Sequence, residues 1–202
     1  MTPAHRHQKG RDRAPRRFHN PRDGRWHVQL TLGDTYVTSD KDEVLTTLLG
    51  SCIAACIRDP NAAVGGMNHF LLPTGAGRDR EAECYGVNAM ELLINDILKR
   101  GGDRRRLEAK IFGGANVVSA LSDVGARNAT FARQFLTDEG IVIVGTDVGG
   151  TAARRIQYSP KKGTAKRVLV KDTARQLVER ELLASRAIAA RPEAPDVEFF
   201  DD

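Results

Sequence analysis

The sequence predicts an α+β protein in which β-sheets are layered and helices flank them. Two observations predict this class. Apolar residues recur mostly at the two-residue period of strands, and helical spacing follows runs of strands instead of alternating with each strand. Aromatic residues make up only 5% of the 202 residues, so Leu, Ile, Val and Ala must supply most of the core. The length suits a single domain.

The strands are predicted from short apolar runs bounded by turn-forming residues. Single strands are expected at 26–32, 44–49, 109–112 and 141–144, the last two of which precede glycine pairs. Two further pairs of runs predict hairpins, namely 52–58 with 66–72, and 155–158 with 167–170.

Helices are predicted where the apolar spacing changes to that of an amphipathic helix. The first covers 85–99 and stops at Gly101-Gly102, since glycine commonly follows a helix C-terminus. The second covers 129–139 with Asn128 as its N-terminal cap, and the third covers about 173–190 after Asp172.

The chain divides into a basic leader, one domain and an acidic tail. Residues 1–25 are rich in Arg, Pro and Gly and are expected to be disordered, residues 26–190 form the domain, and residues 191–202 are an acidic loose tail. The net charge of +5 comes from the leader. Such an arm is typical of nucleic-acid or acidic-lipid binding, but a solvated leader is the favoured interpretation because no nucleic-acid-binding motif follows it. We therefore expect no nucleic-acid partner.

Several classes of protein are excluded by composition. No apolar segment is long enough to span a membrane, and no apolar region follows the basic N-terminus as in a secretory signal. Three cysteines do not make a disulfide framework. We expect a cytoplasmic protein with free thiols and no membrane insertion.

The first predicted hairpin brings a cysteine and a histidine together. If Pro60-Asn61 is the centre of a type I turn, Cys52 lies directly opposite His69, at a Cβ separation of about 5 Å. A bulge at Gly65-Gly66 would shift the register by one residue and move the two to opposite faces. The other four histidines lie in or beside the leader, so His69 is predicted to be the domain's one imidazole.

This pair is suited to nucleophilic catalysis. An imidazolium stabilises a neighbouring thiolate, which attacks a carbonyl carbon, and the imidazole then protonates the leaving group. Amide N–H groups near Gly50-Ser51 would form an oxyanion hole. Thr46 or Thr47 would accept a hydrogen bond from the second ring nitrogen.

Alternative interpretations remain open for these residues. Cys56 and Cys84 are interpreted as core cysteines. A zinc site of Cys52, Cys56, His69 and Cys84 is disfavoured, because residues four apart in a strand are separated by about 13 Å. The glycine pairs 113–114 and 149–150 do not match phosphate-binding patterns and are interpreted as tight turns that bring loops towards the cysteine.

Several motifs, in order and at matching spacing over about residues 33–171, resemble those of the CheD family of chemoreceptor glutamine deamidases. They are Leu49-Gly50-Ser51-Cys52, Gly66-Met67-Asn68-His69, Lys110-Ile111-Phe112-Gly113-Gly114-Ala115-Asn116, Arg127-Asn128 and Asp147-Val148-Gly149-Gly150. Two positions depart from the family pattern, Val117 in place of Met and Ala153 in place of Gly.

The resemblance implies a cysteine hydrolase similar in fold to the catalytic domain of the cytotoxic necrotizing factors. The catalytic residues that it implies are Cys52, His69 and Thr46. The implied reaction converts glutamine side chains of methyl-accepting chemotaxis receptors to glutamate, with no metal or cofactor. Some family members also act on receptor methyl esters, and some bind a CheC-type phosphatase.

A different class of function remains as the alternative. The domain would then serve mainly as a binding module for a CheC-type phosphatase or for receptor helices.

Overall fold

The computed structural model describes residues 14–72, 79–117 and 122–170, together with Leu183. These ranges contain ten strands, two α-helices and a 3₁₀ turn at Arg104–Arg106. The strands are β1 (Arg16–Asn20), β2 (Arg25–Gln29), β3 (Thr35–Thr38), β4 (Glu43–Leu49), β5 (Ile53–Asp59), β6 (Val64–Asn68), β7 (Glu108–Gly113), β8 (Val142–Val148), β9 (Ala153–Ser159) and β10 (Thr164–Val170). The helices are α1 (Asp79–Lys99) and α2 (Ser122–Asp138).

The strands form two five-stranded sheets. Sheet A has the order β1-β2-β4-β9-β10, and sheet B has the order β3-β6-β5-β7-β8. The pairs β2–β4 and β7–β8 are parallel, and the other pairs are antiparallel. Both helices pack on sheet B. Neither helix in the described ranges is both long and apolar enough to cross a membrane.

Two apolar cores separate three layers. One lies between the sheets, and the other lies between sheet B and the helices. The central strand β5 serves both, because its side chains alternate between the two faces of sheet B. Ile53, Ala55 and Ile57 face the helices, while Ala54 and Cys56 face sheet A. The predicted layered α+β class is confirmed.

Several predicted elements are confirmed by the structure. β4 and β7 occupy the expected positions, and β9 with β10 forms the second hairpin. Helix α1 ends before Gly101, whose φ of +93° lies in the left-handed region that favours glycine. The first hairpin also forms, although β6 ends at Asn68 and only an isolated bridge joins Ile53 to Phe70.

Both helices begin earlier than predicted. Helix α1 starts at Asp79 instead of residue 85, and α2 starts at Ser122, so the assignment of Asn128 as its cap is wrong. The polar and charged residues in the first turns of each helix conceal the helical periodicity of the apolar positions. The short strand β3 was missed by the apolar pattern. The predicted helix at 173–190 and the acidic tail lie outside the described residues, apart from Leu183.

The prediction of a disordered leader is wrong for its second half. β1 pairs with β2 around a turn that contains Asp23-Gly24, a dipeptide typical of hairpin turns. Arg17 binds Glu43 at 2.8 Å and its guanidinium lies 4.0 Å from the centre of the Trp26 ring. The backbone pairing of β1 with β2 and the two contacts of Arg17 order this segment, although its high charge alone favours disorder. Residues 1–13 lie outside the described ranges.

His27 is also inside the fold, so His69 is not its one imidazole. It lies on β2, 2% exposed, and Nε2 of its ring is 2.8 Å from the Asp23 carboxylate.

Candidate active site

Cys52 lies in the bend between β4 and β5 and is completely buried. The loop after β7 holds this bend through two backbone hydrogen bonds. Gly114 N donates to the Cys52 carbonyl at 2.8 Å, and Ala115 N donates to the Gly50 carbonyl at 2.7 Å. A Cβ at Gly113, whose φ is +115°, would lie 2.0 Å from the Cys52 carbonyl oxygen. The prediction that this glycine pair brings a loop towards the cysteine is therefore confirmed.

His69 follows β6 and is 5% exposed. The turn before β3 holds its backbone, because His69 N donates to the Asp34 carbonyl at 3.0 Å and Gly33 N donates to the His69 carbonyl at 2.7 Å. The ring points across the gap between the sheets, where Nδ1 lies 2.8 Å from Thr47 Oγ1. The backbone of sheet B and a hydroxyl from sheet A therefore fix the imidazole together.

The hairpin register differs from the prediction by two residues. Ile57 lies opposite Gly66, and the bridge places Ile53 opposite Phe70, so Cys52 is not directly opposite His69. The turn takes four residues instead of two, ending at Ala63 with φ of +53°, and the Asp59 carboxylate accepts hydrogen bonds from Asn61 N and Ala62 N.

A shift of two residues preserves the face of each side chain. Cys52 belongs to the core between the sheets, and His69 reaches Thr47 of sheet A across the same space. The continued register places Cys52 opposite Leu71, two residues from His69, so the two side chains lie on one face of sheet B. The pairing of a cysteine with a histidine on one face is therefore retained, while their direct opposition is wrong.

Thr47, and not Thr46, contacts the histidine. On β4, Thr47 lies opposite the fully buried Ile156 and faces sheet B. Thr46 lies opposite Gln157 and beside Gln29, on the other face of sheet A. Successive side chains on a strand point to opposite faces, so only one of the two threonines can reach the ring. The threonine at the histidine ring is therefore Thr47, and Thr46, which the family resemblance implied, faces away from the ring.

The Thr47 hydroxyl determines the tautomer of His69. Its single hydrogen points to the Leu30 carbonyl, at 3.0 Å, so towards the ring it acts as an acceptor. Nδ1 of His69 must then carry the ring proton. The lone pair is left on Nε2, which is the state that a general base requires.

The other two cysteines lie elsewhere on the fold. Cys56 lies on β5, and burial raises the pKa of its thiol far above the ordinary value. Cys84 is exposed on α1. Within the described ranges, no group of three or more His, Cys, Asp or Glu side chains is placed to hold a metal ion.

Comparison with known proteins identifies the family. The family model for CheD chemotactic sensory transduction matches residues 71–171. A "Probable chemoreceptor glutamine deamidase CheD" from Caulobacter vibrioides NA1000 is 59% identical over 156 residues, which cover 76% of this chain and 83% of the relative. The chain belongs to the CheD family. Relatives of the same name from Caulobacter sp. K31 and Rhizobium meliloti 1021 are 50% and 48% identical over 176 residues, covering 86% of this chain and 92% and 95% of theirs.

Structural comparison adds little to this CheD assignment. A Neisseria meningitidis protein of the DUF152 family superposes with a TM-score of 0.40 at 11% identity, covering 59% of this chain and 54% of that one. The family assignment therefore rests on the sequence relatives. The segment matched by the CheD model begins just after His69 and does not include Cys52.

Two further buried polar residues support the segments around Cys52, and sequence reasoning did not identify this role for either of them. Asn128 is completely buried within α2, where a lone polar residue on an apolar helix face was the available signal. Arg154 on β9 is 3% exposed and donates to the Asp147 carbonyl at 2.6 Å and to the Asp147 carboxylate. Burial lowers the pKa of Arg154, and the charge of Asp147 opposes that shift.

Arg154 also supports the loop beneath Cys52. It donates to the Gly149 carbonyl, and so holds the turn after β8. That turn binds the loop after β7 twice, through Gly149 N to the Gly113 carbonyl at 2.9 Å and through Asn116 N to the Gly150 carbonyl at 2.7 Å. Ala153, where the family pattern has Gly, is fully buried beside Arg154.

Proposed function

We propose that this protein is a hydrolase that deamidates glutamine side chains of chemoreceptors. The observation that carries the proposal is the arrangement of Cys52, His69 and Thr47, in which the histidine has its Nδ1 proton fixed and shares one face of the sheet with the cysteine. A thiol, an oriented base and a third group that orients the base are the parts of a cysteine hydrolase. The names of the relatives supply the substrate class.

The first half-reaction forms a thioester. His69 Nε2 takes the proton of the Cys52 thiol, and the thiolate attacks the side-chain carbonyl carbon of glutamine. The carbonyl oxygen becomes an oxyanion that backbone N–H groups stabilise. The protonated His69 then gives its proton to the amide nitrogen, which leaves as ammonia when the C–N bond breaks.

Hydrolysis of the thioester completes the cycle. His69 Nε2 removes a proton from water, and the oxygen attacks the thioester carbonyl carbon. The C–S bond breaks, the thiol of Cys52 regains its proton from His69, and the product is glutamate. Water is the only co-reactant, and each proton transfer uses His69.

Mass spectrometry of a receptor cytoplasmic fragment tests the proposal. We expect wild-type protein to convert specific glutamines to glutamate and Cys52→Ala to convert none while keeping its fold. Cys84→Ala is the matched control, because it removes an exposed thiol on α1 and should retain full activity. Full activity of Cys52→Ala would exclude Cys52 as the nucleophile. His69→Ala should reduce the rate steeply at neutral pH.

The proposed function extends to the location of the reaction, a side activity and a partner. We place the reaction in the cytoplasm on the cytoplasmic helices of the receptors, with methyl-ester hydrolysis as a side activity and a CheC-type phosphatase as a binding partner. Pull-down of such a phosphatase by folded Cys52→Ala would support the partner. If wild-type protein binds receptor fragment or phosphatase but converts neither amide nor ester, a binding role would replace the enzymatic one.

A further inference from the structure

The side-chain amide of Asn128 joins the two segments that carry Cys52 and His69. Its Nδ2 donates to the Ser51 carbonyl at 2.9 Å, and its Oδ1 accepts from Leu72 N at 2.9 Å. Ser51 directly precedes Cys52, and Leu72 lies three residues after His69. One residue on α2 therefore holds both segments at once.

The position of this amide in the β5–β6 pairing is informative. The bridge between Ile53 and Phe70 is doubly hydrogen-bonded, with both N–O distances 2.9 Å. Continued in the same register, Ser51 would lie opposite Leu72, and the Ser51 carbonyl would accept directly from Leu72 N. The Asn128 amide binds both of these groups. It acts as an inserted peptide group that keeps the strands apart where the cysteine lies.

A second asparagine interrupts the pairing on the other side of the same bridge. There Ala55 N donates to Asn68 Oδ1 at 3.0 Å, and Asn68 Nδ2 donates to the Ala89 carbonyl of α1 at 2.9 Å. The bridge is thus flanked by two asparagine amides. Cys52 lies between the bridge and the Asn128 amide on one segment, and His69 lies between the bridge and Asn68 on the other.

The Asn128 contact also determines the direction of the peptide before the nucleophile. A trans peptide is planar, with its C=O and N–H pointing in opposite directions. Because the Ser51 carbonyl points to Asn128, the N–H of Cys52 points away from α2. The next peptide is held by Gly114 N on the Cys52 carbonyl. Both peptides of Cys52 are therefore oriented, which orients its thiol and the N–H of the oxyanion hole.

We propose that Asn128 is a positioning residue of the deamidase site, whose inserted amide sets the spacing between the Cys52 and His69 segments and the orientation of the Cys52 backbone N–H. This inference rests on the proposed function. It also makes a prediction that needs no substrate, because the spacing governs how readily Cys52 forms a thiolate beside His69.

Asn128→Asp is the informative variant. It keeps an oxygen that accepts from Leu72 N, but it replaces the donor to Ser51 with a second oxygen that repels the carbonyl. We expect kcat to fall about 100-fold, the loss typical of a misplacement of about 1 Å, with little change in KM. The ultraviolet titration of the Cys52 thiolate, taken as the difference from Cys52→Ala, should move towards the pH at which an ordinary cysteine ionises.

Leu136→Ala is the matched control for lost stability. Leu136 is also fully buried on α2, but it belongs to the core against sheet B. We expect it to lower Tm while leaving kcat and the thiolate titration of the folded protein unchanged. If Asn128→Asp does not fold, Asn128→Ser replaces it, since a hydroxyl can meet only one of the two partners well.

The outcomes separate the inference from the proposed function. A lower Tm for the Asn128 variants, with kcat and thiolate titration equal to those of wild type, would show a structural role only and overturn the inference. An ordinary thiolate titration and no glutamine conversion in wild-type protein would overturn the proposed function, and the inference with it.

Discussion

Replacing Thr47 with Val removes one hydroxyl from the site at almost constant volume. That hydroxyl makes two buried hydrogen bonds, 2.8 Å to His69 Nδ1 and 3.0 Å to the Leu30 carbonyl. Leaving a buried polar group without its partner costs about 1–3 kcal/mol. We expect the hydrogen-bond energy of about 1–3 kcal/mol to maintain the tautomer of His69 that is protonated on Nδ1. Its loss would then reduce kcat/KM about 5- to 150-fold, since each 1.36 kcal/mol corresponds to roughly a tenfold change in rate. Unfolding free energy should fall by a similar amount, because the Leu30 carbonyl also loses its donor.

The adjacent threonine provides the matched control. Thr46→Val alters the opposite face of β4, so kcat/KM should remain within about twofold, as for a change away from the site. Thr47→Ser keeps the hydroxyl and should restore most of the activity. The assay is glutamine conversion in a receptor fragment, followed by mass spectrometry at substrate concentrations well below KM. Nitrogen NMR of His69 should report loss of the Nδ1-protonated tautomer in Thr47→Val. A larger loss in Thr46→Val than in Thr47→Val would refute the reasoning.

Three further predictions concern the surroundings of the site. Gly113→Ala should reduce kcat about 100-fold, because its Cβ would force the Cys52 carbonyl aside; unchanged kcat would mean that this contact does not position the nucleophile. Cys56→Ser should lower Tm but retain activity, because burial holds that thiol protonated, and loss of activity in the folded variant would contradict this. Burial alone would raise the pKa of Asp59, but the Arg106 guanidinium and backbone N–H groups lower it well below its usual range. The stability that the Asp59 carboxylate contributes is therefore present above its unfolded pKa of about 3.9, and it is lost as the pH falls below that value. On acidification, wild-type protein should lose resistance to urea more steeply than Asp59→Asn. Parallel curves of unfolding free energy against pH for the two proteins would refute the effect.

The fold class was predictable because it depends on periodicity. The apolar run of β5 and the hairpin of β9 with β10 are local signals, and tertiary contacts reinforce them. β1 was not predictable from composition, because its arginines look solvated until Glu43 and Trp26 are brought beside Arg17. The Asp23-Gly24 dipeptide was the available signal for that hairpin.

The site was predictable in its chemistry but not in its geometry. A cysteine and a histidine on neighbouring strands were identified correctly as residues of one face, since a register error of two residues leaves the face unchanged. The turn after Asp59 was longer than its Pro60-Asn61 centre suggested, because the Asp59 carboxylate accepts hydrogen bonds from Asn61 N and Ala62 N and so stabilises a four-residue loop.

The amino-acid sequence by itself determined which chemical groups the site has and that strands present them on alternate faces. Only the tertiary structure decided that Thr47 meets His69 and that the amide of Asn128 separates Ser51 from Leu72. The physical reason is that both contacts join elements distant in the chain. Which face of β4 turns towards sheet B, and where α2 reaches the strands, depend on how the layers pack against one another, and no local preference of β4 or α2 encodes that packing.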